Sequence, residues 1–279
     1  MPQDVPALFE NANSFAVTMS DVCAKRSSMR WRLAHVLLIC CVRGVFAQTD
    51  EIQVYDAGIA PVGTFNLTWH NNYEASGGRS AAFAGGVVPN HSLNGVTEWA
   101  YGVTSWFEAG LYLPLYSVSS SGAVTYNGFK LRTLFVVPNA PSRQFFYGIN
   151  FEFSDNTRHW DTRTFTAEIR PILGWRAGRI EFIVNPILDY TSQGVAGLDF
   201  APATRLAYRI TAAWSVAAEE YDDFGPLRRF SPTARQSHQL FAVLDHPIGK
   251  TDIEAGAGFG LTAGSDGLVL KLILSRDLN

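Results

Sequence analysis

Charged residues in this chain recur at every second position, inside segments whose intervening residues are apolar. Lys130 and Arg132 flank Leu131, Glu168 and Arg170 flank Ile169, and Glu152 lies between Phe151 and Phe153. Arg205, Arg209, Glu98, Glu108 and Glu254 occupy the same kind of position. Together they place cations and anions on the polar face of several two-faced segments. If paired, such groups plug and stiffen a narrow interior. If segregated to opposite walls, they set a transverse field across a pore and tune its selectivity. These ten are the candidate lumen and selectivity residues.

Other chemistries have little to stand on. There is no phosphate loop, CxxC pair or HExxH helix. His70, His91, His159, His238 and His246 lie on separate elements without the spacing of a metal site, so no metal or other cofactor is expected. Asn90-His91-Ser92 has the residue types of an outer-membrane lipase, but such an enzyme brings nucleophile and base together from adjacent strands. Here the three are consecutive in a predicted loop, so no catalytic residue is assigned and the protein is not expected to be an enzyme. Glu219-Glu220-Tyr221-Asp222-Asp223 reads as a solvated loop entrance, with a Ca²⁺ site on flexible carboxylates as the sharper alternative.

The elements that must position the charges are strands. Phe145, Tyr147, Ile149, Phe151 and Phe153 alternate with Phe146, Gly148, Asn150 and Glu152. The same period of two recurs at Phe65-Leu67-Trp69, at Phe129-Leu131-Thr133-Phe135 and at Leu268-Leu270-Leu272-Leu274, and helical periodicity is nearly absent. Twelve strands are predicted, near 63–74, 95–102, 105–117, 124–137, 144–154, 162–175, 179–189, 199–210, 212–221, 237–246, 251–261 and 268–279. Long and short connections tend to alternate, as in a barrel with both termini on one side of a membrane. Pro171, Pro186 and Pro202 each remove a ladder donor, so they are expected at strand ends or bulges.

Composition narrows the setting. Of the 279 residues 47% are hydrophobic and 13% aromatic, which excludes disorder. Only 17% are charged, and the net charge of −3 offers no footprint for nucleic acid. No apolar run is long enough for a transmembrane helix. Met29 to Arg32 is a basic start, Leu33 to Val42 an apolar stretch, and Ala47 a small residue at a cleavage position: the layout of a secretory signal peptide over 29–47. Residues 1–28 read as a non-native or unstructured extension, and 48–279 as the barrel. All three cysteines, Cys23, Cys40 and Cys41, precede the predicted cleavage point.

Alternation alone does not distinguish a water-soluble barrel, apolar inside, from a membrane barrel, apolar outside. Trp69, Tyr73, Trp99, Tyr101, Trp175, Tyr190 and Tyr208 lie on the apolar faces near predicted strand ends, as interfacial girdles do. The expected fold is therefore all-β: a closed antiparallel up-and-down transmembrane β-barrel of about 12 strands in the bacterial outer membrane.

Several segments carry a family resemblance: Glu51-Ile52-Gln53-Val54-Tyr55, Pro89-Asn90-His91-Ser92-Leu93, Gly102-Val103-Thr104-Ser105-Trp106-Phe107-Glu108, Gly128-Phe129-Lys130-Leu131-Arg132, Asn185-Pro186-Ile187-Leu188 and Gly256-Ala257-Gly258-Phe259-Gly260-Leu261-Thr262. They resemble the outer-membrane barrel family named for the meta-pathway of phenol degradation. The resemblance spans nearly all of 48–279 and implies uptake of aromatic or hydrophobic compounds. The resulting expectation is passive conduction of small molecules through a polar lumen, gated by the 75–94 and 222–236 loops. The expected partners are outer-membrane lipid, a small-molecule solute and the barrel-insertion machinery. The rival readings are a non-conducting structural or adhesion barrel, a lipid-acting hydrolase and a soluble secreted barrel.

Overall fold

The computed structural model describes residues 51–190 and 197–279, so the leader, the 1–28 extension and the cysteines lie outside the described residues. The strand segments are β1 (Phe65–Ser76), β2 (Leu93–Thr104), β3 (Phe107–Val118), β4 (Val124–Val136), β5 (Phe145–Asn156), β6 (Phe165–Ala177), β7 (Ile180–Asn185), β8 (Leu188–Tyr190), β9 (Leu198–Phe200), β10 (Ala203–Arg209), β11 (Ser215–Asp223), β12 (Ser237–Ile248), β13 (Thr251–Gly260) and β14 (Leu268–Asp277). Neighbours pair antiparallel, β1 closes onto β14, and β5 joins β6, so one sheet wraps into a closed barrel. Closure leaves no strand edge to expose unpaired amides to hydrocarbon.

Twelve strands cross, because β7 and β8 are one strand broken at Pro186, and β9 and β10 are one strand broken at Pro202. The registers explain the predicted proline trouble. Ile169 faces Leu188 and Leu173 faces Val184, which puts Pro171 opposite Pro186. Asn185 faces Ala203 and Leu188 faces Phe200, which puts Pro186 opposite Pro202. Three donorless residues thus share one line across the wall, and the ladder is interrupted at one level instead of three.

Both chain ends of the barrel lie together, Asn66 facing Asp277, at the end that carries the short turns at 105–106, 178–179 and 249–250. The opposite end carries the longer connections at 77–92, 157–164 and 224–236. There, Phe200, Phe224 and Phe230 stack, and Phe200 N and O bond Gly225 O and Phe224 N, so the 224–236 loop is built onto β9. Burial pushes the Asp266 carboxyl above its usual range; it accepts from Gly78 N at 3.0 Å, tying the 261–267 and 77–92 loops together.

The apolar face points outward. Phe153, Leu131, Phe259 and Leu206 are exposed, and Phe165 is 73% exposed, while the alternate residues Glu152, Arg132, Gly258 and Arg205 are buried. Water would penalise such a belt, whereas lipid favours it. Phe65 with Tyr101 and Phe145 with Trp175 form ring pairs at the turn end, with Tyr208 on the same rim; Tyr73 and Tyr190 lie toward the other rim. Trp69 and Trp99 sit further into their strands, where their indole N–H groups donate to Tyr116 Oη (2.9 Å) and Leu113 O (3.2 Å).

Leu113 marks a wall defect. The β2–β3 and β3–β4 registers both skip Leu113 and Pro114. Thr97 Oγ1 meets the stranded carbonyl of Leu113 at 2.5 Å from the lipid side. Leu113 O keeps the Trp99 indole as a second donor, so Thr97→Val should destabilise the barrel by about 0.5–1.5 kcal/mol, the net worth of one hydrogen bond. Urea unfolding from vesicles, with Thr64→Val as a turn-end control, measures the difference.

Inside, Gly174 underlies the Phe146 ring and Gly258 the Phe241 ring, each its direct cross-strand partner. A Cβ at either glycine would occupy ring space, so these small positions let two large side chains lie flat against the wall.

Candidate functional site in the lumen

The lumen charges are paired. Arg132 lies between Glu98 (2.6 Å) and Glu108, and Glu98 also meets His70 Nε2 at 3.2 Å. Lys130 reaches Glu152 at 3.4 Å, and Arg170 grips Glu168 through two contacts of 2.6 and 3.1 Å. Arg205 bonds Glu219, Asp245 and Glu254, the last at 3.2 Å. Nine of the ten predicted residues thus interleave by sign around the wall. The tenth, Arg209, stands apart at the turn-side rim and is exposed.

Besides Asp245, three lumen groups escaped prediction. Lys271 bonds Glu219 and, at 2.6 Å, Glu254. Glu74 accepts from Asn94 (3.0 Å) and Ser92 (3.3 Å). Glu219 does not belong to a solvated loop: it is 1% exposed, deep in the barrel, because β11 runs on to Asp223. The alternation of Glu219 and Tyr221 with Ala218 and Glu220 was the available signal, hidden by the density of acids around it.

The feature absent from any strand pattern is the segment before β1. Residues 51–62 run inside the barrel as a strap, with Glu51, Ile52, Val54, Tyr55, Ala57 and Ala60 all buried. Wall side chains hold its backbone. Asn185 accepts from Tyr55 N (2.7 Å) and donates to Tyr55 O (3.1 Å). Arg170 donates to Gln53 O (3.1 Å), Lys271 to Ile52 O (3.3 Å), and Ala60 N donates to Glu108 (2.6 Å). The Tyr55 hydroxyl shares a 2.6 Å bond with the Tyr112 hydroxyl and donates to Glu152 at 3.1 Å, while Arg170 lies 4.3 Å over its ring. A parallel bridge between Val62 and Gly102 anchors the foot of the strap.

The lumen is also less polar than expected. Leu134, Val136, Phe146, Ile172 and Ile183 face inward and cluster with Val54, Tyr55 and Ala57; Phe241, Val243 and Val269 enclose Ile52. The wall is thus amphipathic on its inner face, because the strap needs apolar side chains to pack against as well as charges to satisfy its amides.

The residues of Asn90-His91-Ser92 diverge. His91 Nδ1 faces the Tyr73 hydroxyl at 3.2 Å on the outside, while Ser92 is buried and donates to Glu74. Among the described residues, no three His, Cys, Asp or Glu side chains converge as metal ligands.

No family model matches the sequence, and no curated protein is similar to it. Solved structures are. A COG4313 outer membrane channel from Pseudomonas putida F1 superposes with a TM-score of 0.54 at 14% identity, over 82% of this chain and 100% of that one. The fold is an outer-membrane β-barrel. Looser likenesses are the translocator domain of the autotransporter NalP from Neisseria meningitidis (TM-score 0.41, 9% identity, 93% and 98% covered) and the outer membrane channel DcaP of Acinetobacter baumannii (0.34, 9%, 77% and 96%). The closed ladder, the lipid-facing belt and this fold place the barrel in the bacterial outer membrane.

Proposed function

We propose that this barrel passively conducts small solutes across the outer membrane and that its resting lumen is closed by the 51–62 strap. One observation carries the reading: the lumen is wide enough to hold an extended polypeptide that is not part of the barrel sheet. Outside its foot, side-chain bonds and apolar packing hold that polypeptide. Displacing it leaves a passage of roughly an extended chain's cross-section, about 5 by 10 Å. The apolar cluster beside the charges supports aromatic or hydrophobic solutes, as the phenol-pathway resemblance implies, and the paired lumen charges are proposed to tune which solutes pass.

The same strap and pairing favour one rival, a non-conducting structural barrel. Single-channel recording separates them. Refolded protein, shown by heat-modifiability to be native, should give brief, voltage-dependent openings. A folded barrel that never exceeds the lipid background rejects conduction.

A further inference from the structure

At the turn-side mouth of the lumen lies a cavity of about 70 Å³ lined by Arg176, Arg179, Glu181, Arg205, Arg209 and Asp245. Four guanidiniums face two carboxylates: Glu181 is engaged by Arg176, and Asp245 by Arg205 through Oδ2, its Oδ1 being buried without a hydrogen-bond partner among the described residues. Arg176 also donates to Ala140 O (2.7 Å), and Arg205 to Glu219 and Glu254. Two guanidiniums are left with unused donors. Arg179 reaches only Ile210 O, at 3.4 Å, and Arg209 makes no side-chain hydrogen bond or ion pair among the described residues. They spring from adjacent points, since Arg209 N donates to Arg179 O at 2.8 Å. A further carboxylate, Asp56 of the strap, lies by Glu181 and accepts from Gly58 N (2.8 Å).

We propose that Arg179 and Arg209 form a binding site for a small oxyanion, the carboxylate or phosphate group of a solute, at the turn-side mouth. Each guanidinium presents five N–H donors in a planar fork that matches two oxygens of such a group. Arg176 and Arg205 form the back wall with their charge already taken up by carboxylates, so the attraction for an anion comes from Arg179 and Arg209. The inference deepens the channel reading by naming a solute class, but binding is measured without conduction, so the two fail separately.

Inorganic phosphate and succinate are titrated calorimetrically into the full-length refolded barrel in zwitterionic detergent at low salt. A third arm adds phosphatidylglycerol to the micelles, to represent a lipid headgroup as the anion source. Saturable binding of phosphate or succinate is expected, weakened at least roughly tenfold in Arg179→Gln/Arg209→Gln and less in Arg179→Lys/Arg209→Lys, which keeps charge but loses the fork. Heat-modifiability confirms that each variant is folded. Three results would overturn the proposal: no saturable binding by the native barrel, undiminished binding by the folded glutamine variant, or binding of phosphatidylglycerol alone.

Discussion

Deleting residues 51–61 should raise single-channel conductance at least several-fold and convert brief openings into long ones. The strap is held in the lumen by five backbone contacts, three of them to charged side chains, and by the burial of Ile52, Val54 and Tyr55. A neutral hydrogen bond contributes about 1 kcal/mol net and one to a charged group about 1.5–3 kcal/mol, so the closed state is favoured by several kcal/mol and openings are rare. Deletion should leave the barrel standing. Arg132, Arg170 and Lys271 keep the carboxylate partners Glu98, Glu168 and Glu219, and the vacated space fills with water. A milder variant, Asn185→Leu, removes both bonds to Tyr55 and should lengthen openings without abolishing closure. A folded deletion variant that conducts no better than the full chain would assign closure to the charge network and favour the non-conducting reading.

Glu219→Leu should be the most destabilising single substitution in the lumen, costing about 3–5 kcal/mol, because it strands buried cations. Glu219 bonds Arg205, Lys271 and the Tyr221 hydroxyl, and both its carboxylate and the Lys271 side chain are fully buried. Arg205 keeps Asp245 and, at 3.2 Å, Glu254, whereas Lys271 keeps Glu254 alone among carboxylates, so the cost falls chiefly on Lys271. Adding Lys271→Met should recover much of the loss, since a buried pair replaced by apolar groups of similar volume is often neutral. Denaturant midpoints in vesicles for both singles and the double form the test. Equal loss in the double and the single would show that Lys271 and Glu219 are not coupled.

The two experiments also separate two roles of the same charges. Those bonded to the strap, Arg170, Lys271, Glu108 and Glu152, bear on closure. Arg205 and Glu219 bear mainly on wall stability. Arg209 does neither, which is why it is available to a solute.

What the sequence determined by itself is the wall. Period-two alternation placed the crossing strands and chose the outward face where one face is clearly apolar, as at 145–153 and 268–274, but left it open around Ile183 and Ile187, where both faces are apolar. It marked Pro171, Pro186 and Pro202 as irregular because a missing donor is visible in the residue type. It could not show that the three share one level, because register is set by the hydrogen bonding between neighbouring strands, which residue types alone leave open. For the same reason it named lumen charges without their partners: Arg205 on β10 and Asp245 on β12 meet only once β11 is in register between them. The strap was invisible as structure. Glu51 to Tyr55 were legible only as residues of a family resemblance, since a lone extended segment has no second strand to give it a pattern. Tertiary structure decided that it lies inside the barrel, because only a closed ring of inward-facing Asn185, Arg170, Lys271 and Glu108 supplies the donors and acceptors its backbone needs.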